Sequence, residues 1–264
     1  MSILREIADK TRERIDIEKE GTELSILLQQ IEERKENSLP EHAFLNALKG
    51  EGMSFICEVK KASPFEGLLN DKLSYTETAE KYEEAGASAV SCVTEPFFFQ
   101  GSDQYLWEIS GRIRIPVLRK DFVIDEYMVY QAKALGASAI TLYCSVLDDE
   151  ELKSFSSLSA ELGMDTVFEV HDEPELLRAV NCGAGIIGIV NRDPETLEVD
   201  LGKTIRLQKS VPASAVVISD GGIRTSDEIS MLYEGGCRAV LIGKTMMQSG
   251  DKKKTLKDLR GIYG

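Results

Sequence analysis

The chain has 264 residues and a formal net charge of −14; 42% of its residues are hydrophobic and 29% charged. That is the make-up of a soluble globular protein, long enough for one large α/β domain or two small ones. So acidic a chain is a poor partner for nucleic acid or an anionic membrane, and apolar runs such as 186–190 are far too short to span a bilayer.

The N-terminal stretch MSILRE is charged and helical, without the apolar core of a signal peptide. Ile3, Leu4, Ile7 and Ala8 recur at helical spacing, as do Leu24, Leu27, Leu28 and Ile31. A third helix is predicted over 40–50, stopped by Gly50. These helices are too short to hold a core alone, so 1–50 reads as an extension packed on one domain spanning 1–264.

From residue 54, strands and helices alternate. Strands are predicted at 54–60, 88–94, 115–119, 138–143, 165–170, 186–190, 214–219 and 238–242. Helices fill the gaps at 74–85, 102–110, 125–135, 148–162, 172–181, 202–208, 225–235 and 244–248. Such alternation implies parallel strands with right-handed crossovers. A repeated junction supports it: AGASAV at 85–90 matches LGASAI at 135–140, with looser copies CGAGII at 182–187 and GGCRAV at 235–240. In each, a glycine ends a helix and an apolar strand begins. The copies recur about every 50 residues, or two βα units, so the predicted fold is an α/β (β/α)8 TIM barrel with an N-terminal helical extension. A doubly wound open sheet is the alternative, weakened because no GxGxxG follows the first strand.

The five cysteines, Cys57, Cys92, Cys144, Cys182 and Cys237, are odd in number and form no CxxC. They read as reduced core thiols of a cytosolic, cytoplasmic protein. With His42 and His171 alone and no His/Cys cluster, no metal site is expected.

Barrel chemistry collects where strands end. The first strand turns from apolar to charged at Glu58 and Lys60, which sit two apart and share a face. Such charges are expensive on a buried strand unless paired or used; a plain ion pair is the bland reading. Lys120 ends the third strand and Glu169 lies on the fifth, so two lysines and two glutamates converge. Lysine neighbours lower one another's pKa and carboxylates raise it, an arrangement that can set a lysine as general acid beside a carboxylate partner. Strands seven and eight end at Gly221-Gly222 and Gly243-Lys244, where backbone N–H groups suit a phosphate, with Arg192 reaching in as a fork. Read plainly, these glycines are turns.

Several segments together resemble the indole-3-glycerol phosphate synthase family over essentially the whole chain. They are EVKKASP at 58–64, TEPFFFQGS at 94–102, PVLRKDF at 116–122, FEVHD at 168–172, IGIVNRD at 187–193, DGGI at 220–223 and LIG at 241–243. The resemblance implies a carboxy-lyase of tryptophan biosynthesis. It would close the indole ring of 1-(2-carboxyphenylamino)-1-deoxyribulose 5-phosphate with loss of CO2 and water, using no metal or cofactor. It implies Lys120 as general acid, Lys60 on the substrate carboxylate, and Glu58 and Glu169 as general base and electrostatic partners. Arg192, Gly222, Gly243 and Lys244 would hold the phosphate, with Ser63 a further phosphate or loop contact and Asn191 a further substrate contact. The partner is then a small phosphorylated molecule, with a monomer as the working expectation.

Three segments depart from the family pattern. Val190 stands where the family has Asn. Asp220-Gly221-Gly222 replaces Glu-Ser-Gly, which shortens a carboxylate and removes a hydroxyl. In the loop after the first strand, Glu66 replaces a lysine, and a carboxylate pointing inward there would repel a phosphate. These departures allow an impaired synthase. They also leave open a barrel that binds a phosphorylated metabolite without this turnover, or another sugar-phosphate enzyme of the same fold.

Overall fold

The computed structural model describes residues 3–70 and 74–261; Met1 and Ser2 of the N-terminal reading lie outside them. Eight parallel strands close into a barrel. They are β1 Ser54–Val59, β2 Ala89–Val93, β3 Val117–Lys120, β4 Ala139–Tyr143, β5 Asp165–Val170, β6 Ile186–Val190, β7 Val216–Asp220 and β8 Ala239–Ile242. Each pairs with its neighbour in sequence, and β8 pairs with β1, for example Phe55 with Val240. The predicted strands agree within two residues at each end, and the open-sheet alternative falls.

Strand alternation sorts the side chains. Phe55, Cys57, Val90, Cys92, Ile140, Phe168, Ile187, Val240 and Ile242 face the surrounding helices and build the large outer core. Ile56, Ala89, Leu118, Val167, Ile218 and Leu241 face the barrel axis. Gly86, Gly136, Gly183 and Gly236, the repeated junction, have φ of +86°, +90°, +81° and +100°. Only glycine takes that conformation without strain, which is why the same residue closes each turn.

The helices are α1 Ile3–Gly21, α2 Leu24–Arg34, α3 Ala43–Ala47, α4 Tyr75–Glu84, α5 Asp103–Arg112, α6 Glu126–Ala134, α7 Asp149–Glu161, α8 Glu173–Asn181, α9 Gly202–Leu207, α10 Ser226–Glu234, α11 Lys244–Gln248 and α12 Lys252–Arg260. The last lies beyond the predicted set, because KKKTLKDLR hides two spaced, buried leucines, Leu256 and Leu259, in charge.

The extension touches the barrel in three places. α3, shorter than predicted because His42 enters the left-handed region at φ +56°, plugs the N-terminal end with Phe44 and Leu48. Asp165 pins it, accepting the Leu45 N–H at 2.8 Å and lying 2.9 Å from His42 Nδ1. α2 packs on α6. α1 crosses the opposite mouth, setting Leu4, Ile7 and Ala8 against Phe122 and Tyr143. Arg14 of α1 donates to buried Asp121 at 3.0 Å, and Asp121 also receives Arg119 and Thr94. Arg119 and Asp121 thus fasten α1 and α5 from outside the barrel, while Lys120 between them points inward.

Candidate active site

A cavity opens at the C-terminal ends of the strands and carries the sequence-predicted Glu58, Lys60, Ser63, Lys120, Glu169, Arg192, Gly222, Gly243 and Lys244 on its wall. Leu4, Phe65, Phe99, Phe122 and Tyr143 form its apolar side, with Phe122 stacked on Tyr143 at 4.3 Å. None of these five was given a site role from sequence. A lone aromatic at a strand end looks like core, and only closure of the barrel brings them together.

Lys120 stands at the centre. Its Nζ lies 3.1 Å from Glu169 Oε2 and makes a very short contact with Asp220 Oδ2. Burial opposes the charged ammonium, but Asp220 and then Glu169 override it and raise the Lys120 pKa well above its ordinary value. The expected lowering by a second lysine is therefore not what governs Lys120, because Lys60 is taken up by its own carboxylate. Lys60 Nζ sits 2.6 Å from Glu58 Oε1. Burial pushes the Glu58 carboxyl up, yet Lys60 and Lys120 outweigh it, so Glu58 is held below the usual range. Glu169 goes the other way. Burial raises it, Lys120 only partly offsets this, and Asp220 adds to the rise. The two glutamates thus have opposite characters: one is a firmly ionised partner, the other a carboxylate that takes a proton more readily.

The glycines are demanded by close approach. A Cβ on Gly222, whose φ is +82°, would overlap the Val199 side chain. A Cβ on Gly243 would lie 2.5 Å from Glu58 Oε1 and 3.4 Å from Lys60 Nζ. Two expectations change. Arg192 does not stand open as a fork: one nitrogen donates to the Leu197 carbonyl at 3.0 Å and the other to Glu66 Oε1 at 3.1 Å. Lys244 Nζ lies 3.2 Å from the same Glu66 oxygen, so Glu66 does point inward. Asn191 needs a correction. It is fully buried and faces away from the cavity, its amide nitrogen donating to Ser219 Oγ and the Gly221 carbonyl at 2.9 Å and its oxygen receiving Thr204 at 2.8 Å. Alternation explains this, since Val190 and Arg192 on either side line the cavity. Asn191 fixes the backbone of the Gly221 turn.

Two further strand-end residues are scaffolding. Ser63 Oγ accepts the Phe65 N–H at 3.1 Å and shapes its loop. Glu95, just past the end of β2, accepts the N–H groups of Phe97, Phe98 and Phe99 at 2.8–2.9 Å and so sets the loop that carries Phe99.

Residues 4–259 match the family model described as Indole-3-glycerol phosphate synthase. The indole-3-glycerol phosphate synthase of Ruminiclostridium cellulolyticum is 43% identical over 259 residues, covering 98% of this chain and 99% of that protein. That of Lachnoclostridium phytofermentans is 38% identical, with the same two coverages. Among solved structures, a 3-hexulose-6-phosphate synthase superposes with a TM-score of 0.66 at 16% identity, over 80% of this chain and 100% of that one. Thiamine phosphate pyrophosphorylase from Pyrococcus furiosus gives 0.60 at 18%, over 80% and 95%. Likeness at such low identity is one of fold alone.

Proposed function

Since the chain belongs to the indole-3-glycerol phosphate synthase family, we propose that it performs that family's reaction with the charged groups of the barrel mouth. In that reading it is a carboxy-lyase of tryptophan biosynthesis. It closes the ring of 1-(2-carboxyphenylamino)-1-deoxyribulose 5-phosphate and releases CO2 and water. The observation that carries the assignment of roles is Lys120, a charged ammonium lodged between Glu169 and Asp220 in a cavity with an apolar wall.

Lys120 protonates the ribulose carbonyl oxygen as the ring carbon attacks it, and later assists departure of the hydroxyl. Its two carboxylate partners hold it charged and aimed before the substrate arrives, so little reorganisation is needed at the moment of reaction. Lys60, backed by Glu58, holds the substrate carboxylate until CO2 leaves. Loss of CO2 restores the aryl ring, and Glu169, the carboxyl with the raised pKa, takes the methylene proton whose loss together with the hydroxyl completes the indole. Leu4, Phe122 and Tyr143 receive the aryl ring. Gly222, Gly243, Arg192 and Lys244 receive the phosphate. The four buried, unpaired cysteines suit a reducing cytoplasm, and burial pushes the Cys57 thiol up to about 12, which keeps it inert.

Mixing the protein with the carboxyphenylamino-deoxyribulose phosphate should generate indole fluorescence in proportion to enzyme. Binding without that signal would leave a metabolite-binding barrel. Retention of both lysines with both glutamates favours turnover.

A further inference from the structure

We infer that Glu66 is a built-in competitor for the phosphate: in the ligand-free protein its carboxylate occupies the place between Arg192 and Lys244, and the substrate's phosphate has to displace it. This inference rests on the phosphate assignment made above. One oxygen of Glu66 bridges the two cations, 3.1 Å from Arg192 Nη2 and 3.2 Å from Lys244 Nζ. The Glu66 side chain is 8% exposed, so its charge is withdrawn from water and leans on these partners. An anion placed between an arginine fork and an ammonium, next to Gly222 and Gly243, stands where a phosphate oxygen would stand.

The loop is built to deliver it. Ala62–Ser63 and Gly67–Leu68 pair as a tight antiparallel hairpin, with Glu66 at its turn. Ser63 holds both the Phe65 N–H and the Glu66 N–H, and the Ala62 N–H is tied to the Phe99 carbonyl at 3.2 Å. Gly67 at φ +69° lets the chain reverse immediately after Glu66. A tethered carboxylate competes at high effective concentration, whereas a phosphate dianion brings a second charge and more acceptor oxygens. The phosphate can therefore win, but only against the closed contact. A contact made roughly nine-tenths of the time weakens apparent affinity about tenfold, because only the unlatched fraction is competent. Where a lysine at this position would draw the loop towards a bound phosphate, Glu66 draws it towards Arg192 and Lys244 themselves. The loop is then held in the free enzyme and expelled on binding.

The test uses the full chain, inorganic phosphate as probe, and the variants Glu66→Gln and Glu66→Asp. Gln keeps the shape and removes the charge; Asp keeps the charge and shortens the reach. Phosphate binding by calorimetry should tighten about tenfold or more in Glu66→Gln and by less in Glu66→Asp. Both variants should melt lower than the parent without phosphate and recover on adding it, which also verifies that they fold. Protease cleavage within 62–68 should rise on adding phosphate to the parent. Equal phosphate affinity in parent and Glu66→Gln, or weaker binding in the variant, overturns the competitor and leaves the phosphate site standing. Should neither protein bind phosphate, and Arg192→Gln leave KM unchanged, the phosphate assignment falls and the competitor with it.

Discussion

On one side of the barrel mouth, Glu58, Lys60, Lys120, Glu169 and Asp220 stand at or just past the ends of barrel strands; on the other, Glu66, Arg192, Gly222 and Lys244 stand on loops or a short helix. Both sides are neutralised by pairing, but in different ways. The strand-borne charges are matched by carboxylates on the same strand or across the barrel mouth: Lys60 by Glu58, and Lys120 by Glu169 and Asp220. The loop-borne cations are matched by a carboxylate from the turn of the 62–68 hairpin, which the phosphate is inferred to displace. On the roles proposed above, chemistry is preorganised on strand ends and binding is made exchangeable on loops.

The sharpest way to break the strand-borne side is Lys120→Ala. It removes the proposed proton donor and leaves Glu169 and Asp220 facing each other without their cation. The expected loss in kcat is ~10²–10⁴-fold with the fold kept, read by indole fluorescence and by thermal melting. Retention of more than about a tenth of the parental rate would remove Lys120 from the role of general acid, since such catalysis is worth more than that.

The two sides meet at Gly243, whose missing side chain leaves room for Glu58 and Lys60. Gly243→Ala sets a methyl 2.5 Å from Glu58 Oε1, without demanding a left-handed backbone angle, as φ there is −98°. Because Glu58 is buried, it has to tilt and carry Lys60 with it. Displacement by about 1 Å can cost roughly 10²-fold, so kcat/KM should fall by up to that factor while melting changes little. A fall confined to KM would place the damage on the phosphate side; one confined to kcat, on the charged cluster.

How much of this was legible beforehand follows the same division. The barrel, its strand bounds and the convergence of Glu58, Lys60, Lys120 and Glu169 come from apolar strand runs and repeated glycine turns, which are local patterns. Asn191 entered as a substrate contact through the resemblance alone; strand alternation turns it away, with Val190 and Arg192 on either side of it on the cavity wall. The Glu66 contact was not legible, since a loop residue and the two cations it bridges are 126 and 178 positions apart (192 − 66 and 244 − 66). Asp220 as the partner of Lys120 was equally hidden: its shortness beside the family's Glu was visible, its contact was not.

Asp220 also sets a pH test. Glu169 has a raised pKa, so its ionised form is lost on acidification earlier than an ordinary carboxylate would lose it. The acid limb of kcat/KM should therefore lie above the usual carboxylate range. Removing the Asp220 charge frees Lys120 to favour ionised Glu169, so Asp220→Asn should shift that limb to lower pH. Stability carries the opposite sign to a salt-bridged acid. A folded pKa above the unfolded one means that the contribution of Glu169 is fully present below the unfolded value and is lost as pH rises through the folded one. Melting of Glu169→Gln should accordingly lose part of the parental dependence over that interval. An acid limb unmoved by Asp220→Asn would separate Asp220 from the titration of the site.

The smallest expected effect lies at Val190 and Gly221. Val190 lines the cavity in register with Asp220 and offers a branched apolar wall where the family pattern has an amide. A polar substrate group facing it loses water and gains no partner, at about 1–3 kcal/mol. Val190→Asn should then raise kcat/KM by up to about tenfold, since 1.4 kcal/mol is tenfold. Gly221 behaves differently. No atom lies within 4 Å of an added Cβ, so space is free, but φ is +81° and Asn191 holds its carbonyl in place. A serine there supplies a hydroxyl and takes on about 1–2 kcal/mol of left-handed strain. Gly221→Ser alone should lower the melting temperature, and the double change should gain less activity than Val190→Asn by itself. A double variant that outperforms the single would mean that the hydroxyl matters more than the strain. Val190→Asn without gain would mean that the pocket has repacked around valine.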